Sequence, residues 1–175
     1  MPALSFQENL IQNIFMLEAV SRIAMSALYG FALLSFGYTL SLRAREKKHS
    51  EKFHNLARIL FGFASVFTII YATLEFVLPI NSVTTQVYTA ICLVLAITVL
   101  FLDKGKEGFP AFSFLVGALI FLMATITPFV DPKPLYRATS ADWLVNFHIG
   151  TAALGEAIFV VSFCASLLYL SLIHI

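Results

Sequence analysis

The stretch Trp143–Phe163, WLVNFHIGTAALGEAIFVVSF, is apolar except for a histidine near its start and a glutamate inside it. A neutral imidazole such as that of His148 binds a metal or a haem iron, or bonds a backbone carbonyl. Glu156 lies eight residues further on, about 12 Å along a helix, so the two side chains do not meet. A carboxylate at that depth in an apolar span must be protonated, paired or set against water, and it serves either a buried helix–helix hydrogen bond or proton or ligand handling. Ala152 and Gly155 follow His148 at i+4 and i+7. They leave a smooth strip on which another helix, or a flat macrocycle, lies close to the backbone. Glu18 and Arg22 stand at i and i+4 in the order that favours an ion pair. Glu75 sits near the end of its apolar run, and the acids at 18, 75 and 156 would line a path if they faced one another. His49 and His54 fall in a basic stretch at a spacing that suits no single helix face, which predicts solvated side chains. Cys92 and Cys164 lie in apolar runs with no CxxC pair, as expected of small packing residues.

These residues are carried by a chain of 175 residues, of which 59% are hydrophobic and 12% charged. Apolar runs of about 20 residues recur, the length that crosses a bilayer as a helix. They are apolar nearly all round, which excludes a soluble bundle, and they do not alternate as barrel strands do. The expected fold is all-α, a polytopic transmembrane helix bundle of five spans. Residues 1–13 form a short lead, and 14–170 form the transmembrane domain. The spans are expected at Ile14–Leu42, Ile59–Leu78 (stopped by Pro79), Val83–Leu102, Phe109–Val130 and from Trp143 onward.

Lysine and arginine set the orientation. RAREKKHSEKFHNLAR after the first span and DKGKEG after the third hold Arg43, Arg45, Lys47, Lys48, Lys52, Arg58, Lys104 and Lys106. The loop DPKPLYRATSAD on the other side holds Lys133 and Arg137. The basic loops are therefore expected in the cytoplasm, with the N-terminus outside a plasma (inner) membrane and His148 near the outer interface beside Trp143. A net charge of +1 implies no nucleic-acid partner. No P-loop, GxSxG or HExxH motif of a soluble enzyme is present, and no cleavable signal peptide is expected, since the first apolar run is too long for one and lacks a small-residue cleavage site.

The last six residues, LSLIHI, are the translation of a transposon-end sequencing adapter, CTG TCT CTT ATA CAC ATC. Natural coding sequence is expected to stop near Tyr169 or Leu170, with 171–175 an adapter-derived tail in which His174 has no role. The chain would then be an N-terminal fragment.

The run WLVNFHIGTAALGEAIFVVSFCASLLYL resembles the cytochrome c assembly protein family, the CcsA/ResC and HemX-like group. The matching positions are His148, Gly155, Phe163 and Leu167–Leu170. The resemblance covers about 28 residues, while the earlier spans match by count, length and orientation. It implies that His148, at the outer end of its helix, is one axial ligand to the iron of haem presented to apocytochrome c. It implies partner membrane assembly proteins and a place in a haem-attachment (cytochrome c synthase) system, with no enzyme activity of this chain alone. Lys133 and Arg137 are candidates to meet haem propionates. The family's tryptophan-rich signature, W-G-x-x-W-x-W-D, and a second external histidine are absent from this chain. HemX-like members lack that signature, so the alternatives are a membrane regulator of haem supply without bound haem and a small transporter.

Overall fold

The computed structural model describes residues 2–45, 50–77, 83–104, 109–130 and 143–173. They form five helices: α1 (Pro2–Ala44), α2 (Ser50–Val77), α3 (Val83–Leu102), α4 (Pro110–Val130) and α5 (Trp143–Ile173). No strand occurs among the described residues. All five helices are long and apolar enough to cross a membrane. The chain is an all-α multi-pass membrane protein.

Each packed helix buries residues at alternating steps of three and four. In α1 the buried residues include Glu18, Ser21, Met25, Tyr29, Ala32, Phe36 and Thr39. In α2 they include His54, Ala57, Phe61, Ala64, Thr68 and Tyr71, and in α3 Thr85, Thr89, Cys92, Ala96 and Val99, continued by Asp103 just past the helix. A repeat near 3.5 keeps one stripe on the partner as helices cross at about 20°. Lipid tails are as apolar as the buried side chains, so close packing and internal hydrogen bonds hold such helices together. Thr39, Ser65, Thr68 and Thr89 accordingly donate to carbonyls four residues back, at 2.8–2.9 Å. Since the Thr68 hydroxyl donates to Ala64, the Tyr29 hydroxyl is the donor in its 2.9 Å bond to Thr68 Oγ1, which ties α1 to α2.

Helices α1 to α4 close into a unit: α1 packs on α2 and α4, and α3 on α2 and α4. The α1–α4 approach is close because a Cβ at Gly30 or Gly37 would stand 3.2 Å from the ring of Phe121 or Phe114. α5 lies outside this unit, mainly on α3 and less on α4. Of the described basic residues, Arg43, Arg45, Lys52, Arg58 and Lys104 gather where α1 and α3 end and α2 begins, while Arg22 lies within α1. His148 lies towards the other end.

Two boundaries differ from the sequence expectation by more than two residues. α1 begins at Pro2, so the lead is helical. α2 begins at Ser50, nine residues before the expected Ile59, so Lys52, His54 and Arg58 belong to a helix and not to a loop. The reason is that the buried stripe of α2 continues without a break from Phe61 through Ala57 to His54. Polar residues between the stripe positions do not interrupt a helix whose core face is intact.

Candidate functional site

His148 stands in the second turn of α5. That helix docks through Ile149, Ala153, Ala157 and Cys164, with Val160, Val161 and Leu168 partly covered. At about 100° per residue, His148, Gly155 and Phe159 lie roughly opposite that stripe. His148, Ala152 and Gly155 are all exposed, and Phe159 is 70% exposed. A Cβ at Gly155 would meet nothing within 4 Å. The imidazole makes no hydrogen bond with any described residue; only the backbone carbonyl of His148 is engaged, by the Thr151 hydroxyl at 3.0 Å. The sequence-derived strip is therefore real as a surface: one imidazole at the head of a small-residue face that no described helix covers.

Glu156 does not fit its expectation as a buried acid. It lies on the exposed side of α5 and makes no hydrogen bond or ion pair with a described residue. The docking stripe excludes it, because Glu156 is about 80° around the helix from the stripe's centre. Glu18, by contrast, is 8% exposed inside the four-helix unit, and Arg22 is half-buried one turn on. The two acids thus do not look into a common space. The side chain of Glu75, and His49, Lys133, Arg137 and His174, lie outside the described residues.

His54 was expected to be solvated and is 4% exposed. Its Nε2 lies 2.8 Å from Asp103 Oδ2, and Arg43 Nη2 lies 3.2 Å from its Nδ1. A guanidinium only donates, so Nδ1 accepts and Nε2–H is the donor to the carboxylate. This is the neutral imidazole with its proton on Nε2. Arg58 Nε stands 3.8 Å from the same carboxylate oxygen, and the edge of Phe36 meets the His54 ring at 5.9 Å between centroids. Asp103 is 2% exposed, and its amide bonds the carbonyl of Val99 at 2.8 Å, which fixes it at the end of α3. A carboxylate there opposes the negative end of the helix dipole. The arginines of α1 and α2 offset that charge.

Sequence spacing held the signal for this cluster. His54 is in phase with Ala57, Phe61 and Ala64, and Asp103 with Cys92, Ala96 and Val99. Extending each stripe by one turn beyond the apolar run places both side chains in the core. Cys92 and Cys164 are buried free thiols, in keeping with packing roles. No group of three or more histidine, cysteine or acidic residues that could hold a metal occurs among the described residues.

No protein-family model, curated protein or solved structure matches the chain.

Proposed function

We propose that this is a membrane protein of cytochrome c biogenesis that binds or presents haem at the extracytoplasmic face, with His148 as one axial ligand. The observation that carries the proposal is the placement of His148: an imidazole with no hydrogen-bond partner among the described residues, heading a small-residue face of α5 that no described helix covers. The orientation is supported by the excess of lysine and arginine in the two basic loops of the sequence, of which the described Arg43, Arg45, Lys52, Arg58 and Lys104 lie at the end of the bundle away from His148.

The residues present fit one side of a haem. A neutral imidazole supplies an axial nitrogen, and the missing Cβ of Gly155 leaves room for a flat group near the helix. The described residues offer His148 as the sole histidine at that end, so they supply half of an axial pair. Haem here is cargo. This chain's contribution is to bind it, orient it and keep His148 available to the iron, while apocytochrome c and partner membrane assembly proteins carry the thiols and reductants.

The test is the haem content and Soret band of the purified full chain, supplied with haem, beside His148→Ala. Loss of a group that merely orients a metal ligand costs about 10–100-fold in affinity, so loss of the ligand itself should cost at least about tenfold. Helical content by circular dichroism should be unchanged, because His148 is exposed. An unaltered Soret band in the variant would remove His148 as the ligand. A wild-type chain that takes up no haem would favour a regulator of haem supply instead.

A further inference from the structure

The ion pair expected of Glu18 and Arg22 is not formed: Arg22 makes no hydrogen bond or ion pair with any described residue. It is half-buried and lines a groove of about 440 Å³ between α1 and α4, with Ser26 one turn on and Ala124 and Thr125 on the α4 side. The Ser26 hydroxyl makes no hydrogen bond with a described residue either, whereas Ser21 and Thr39 of the same helix donate to carbonyls three and four residues back. The groove runs on into a second stretch of about 430 Å³, lined by Ala27, Gly30, Phe31 and Leu34 with Phe121. Ser26, Ala27 and Phe121 belong to both stretches, so the two form one trough. Phe121 closes its floor, since a Cβ at Gly30 would stand 3.2 Å from that ring. The depth of the trough follows from the helix. Arg22 precedes Leu42, at the basic end of α1, by 20 residues, about 30 Å. That is the thickness of the hydrocarbon core, so Arg22 stands at the boundary on the side away from the basic loops. Leu34 is about 18 Å deeper, just past the middle of the core. The trough thus spans one leaflet, with a guanidinium at its head and apolar walls down to the midplane.

We propose that this trough seats one glycerophospholipid of the leaflet on the His148 side, held by its phosphate. Arg22 and Ser26, one turn apart on the same face of α1, both donate to phosphate oxygens, and the planar guanidinium fork suits that group. One acyl chain runs along Ala27, Gly30, Phe31 and Leu34 against Phe121. The tail is part of the argument, because most of the trough is apolar and it opens towards the bilayer: Ile23, Phe31 and Leu34 beside it are 59–70% exposed. A soluble phosphate ester would leave that apolar length unfilled. The site is separate from the proposed haem ligand, which stands on α5, and from the His54–Asp103 cluster at the other end of the bundle.

The test is native mass spectrometry of the full chain in detergent, titrated with phosphatidylglycerol and with diacylglycerol of the same acyl chains, and read at the first lipid bound. Phosphatidylglycerol should bind about fivefold more tightly than diacylglycerol, the effect of one arginine on a lipid phosphate at the membrane surface. Arg22→Gln should abolish that difference, with diacylglycerol binding and helical content unchanged. Ala27→Phe, at an exposed position shared by both stretches of the trough, fills its apolar part and should weaken both lipids. Millimolar glycerol 3-phosphate should not displace phosphatidylglycerol. Equal binding of the two lipids by the wild-type chain, or the same preference in Arg22→Gln, would mean that the guanidinium only reaches water and would overturn the phosphate contact. Wild-type binding by Ala27→Phe would overturn the trough as the seat of the tail. Displacement by glycerol 3-phosphate would make this a site for a soluble phosphate ester and overturn the lipid assignment.

Discussion

Replacing Asp103 with alanine should destabilise the helix bundle by about 3 kcal/mol, the upper cost of losing a hydrogen bond to a charged group and leaving a buried N–H unpaired. The carboxylate is the acceptor for His54 Nε2–H at 2.8 Å and faces Arg58 at 3.8 Å. Without it a buried N–H is left unmade, and two cations of α1 and α2 lose the charge that draws them to α3. Asp103→Asn retains an acceptor oxygen for His54 and should cost less, because the charge assistance goes but the hydrogen bond stays. The paired change His54→Phe with Asp103→Leu removes both polar partners together, and apolar replacement of a buried pair is often neutral. Reversible unfolding in detergent micelles, read by helical content, gives all three values. A cost for Asp103→Ala below about 1 kcal/mol, the level of an exposed ion pair, would mean that the cluster is solvated in the membrane-embedded protein. A paired variant as unstable as Asp103→Ala would mean that lost packing, not lost pairing, causes the effect.

Phe61→Ala should cost about 2–4 kcal/mol. Phe61 is 1% exposed and sits between α1, α2 and α4. Its ring meets Tyr29 edge-on at 5.0 Å and Phe36 at 6.2 Å, and its edge lies 3.5 Å from where a Cβ at Gly117 would be. In a soluble protein such a truncation loses transfer energy as well as creating a cavity, about 3–5 kcal/mol together. In a bilayer the transfer part shrinks, because lipid is as apolar as the core. What remains is lost ring contact and a space that lipid does not reach. Ile59, two residues away, makes the control: it is 57% exposed, so lipid takes the place of the side chain and Ile59→Ala should be near neutral in the same unfolding measurement. Equal costs at the two positions would contradict the burial pattern of α2.

The five spans were legible because run length alone carries them. Val83–Leu102 coincides with α3, and Pro110 stands at the start of α4, where proline's missing N–H is tolerated. The start of α2 was hidden by composition, since Lys52, His54 and Arg58 make Ser50–Arg58 look like a loop although its every third or fourth residue is core. His148 and its smooth strip were visible because α5 repeats them in register. The polar cluster was not, because His54 and Asp103 are 49 residues apart and meet only through the packing of α2 on α3. Glu156 was misplaced for a related reason: hydropathy reports depth along a helix, whereas the docked face depends on which small residues the neighbour accepts.

The peripheral seat of α5 gives this protein two mechanical thresholds. Helices α1 to α4 brace one another in a closed circuit, with α1 packed on α4 as well as on α2, whereas α5 leans on α3 and, less, on α4. The ribosome delivers α5 after the other four, and the contacts that close their circuit do not involve it. Among the described helices, a pull on α5 should therefore peel it from α3 and α4 at a lower force than is needed to open the circuit of α1 to α4.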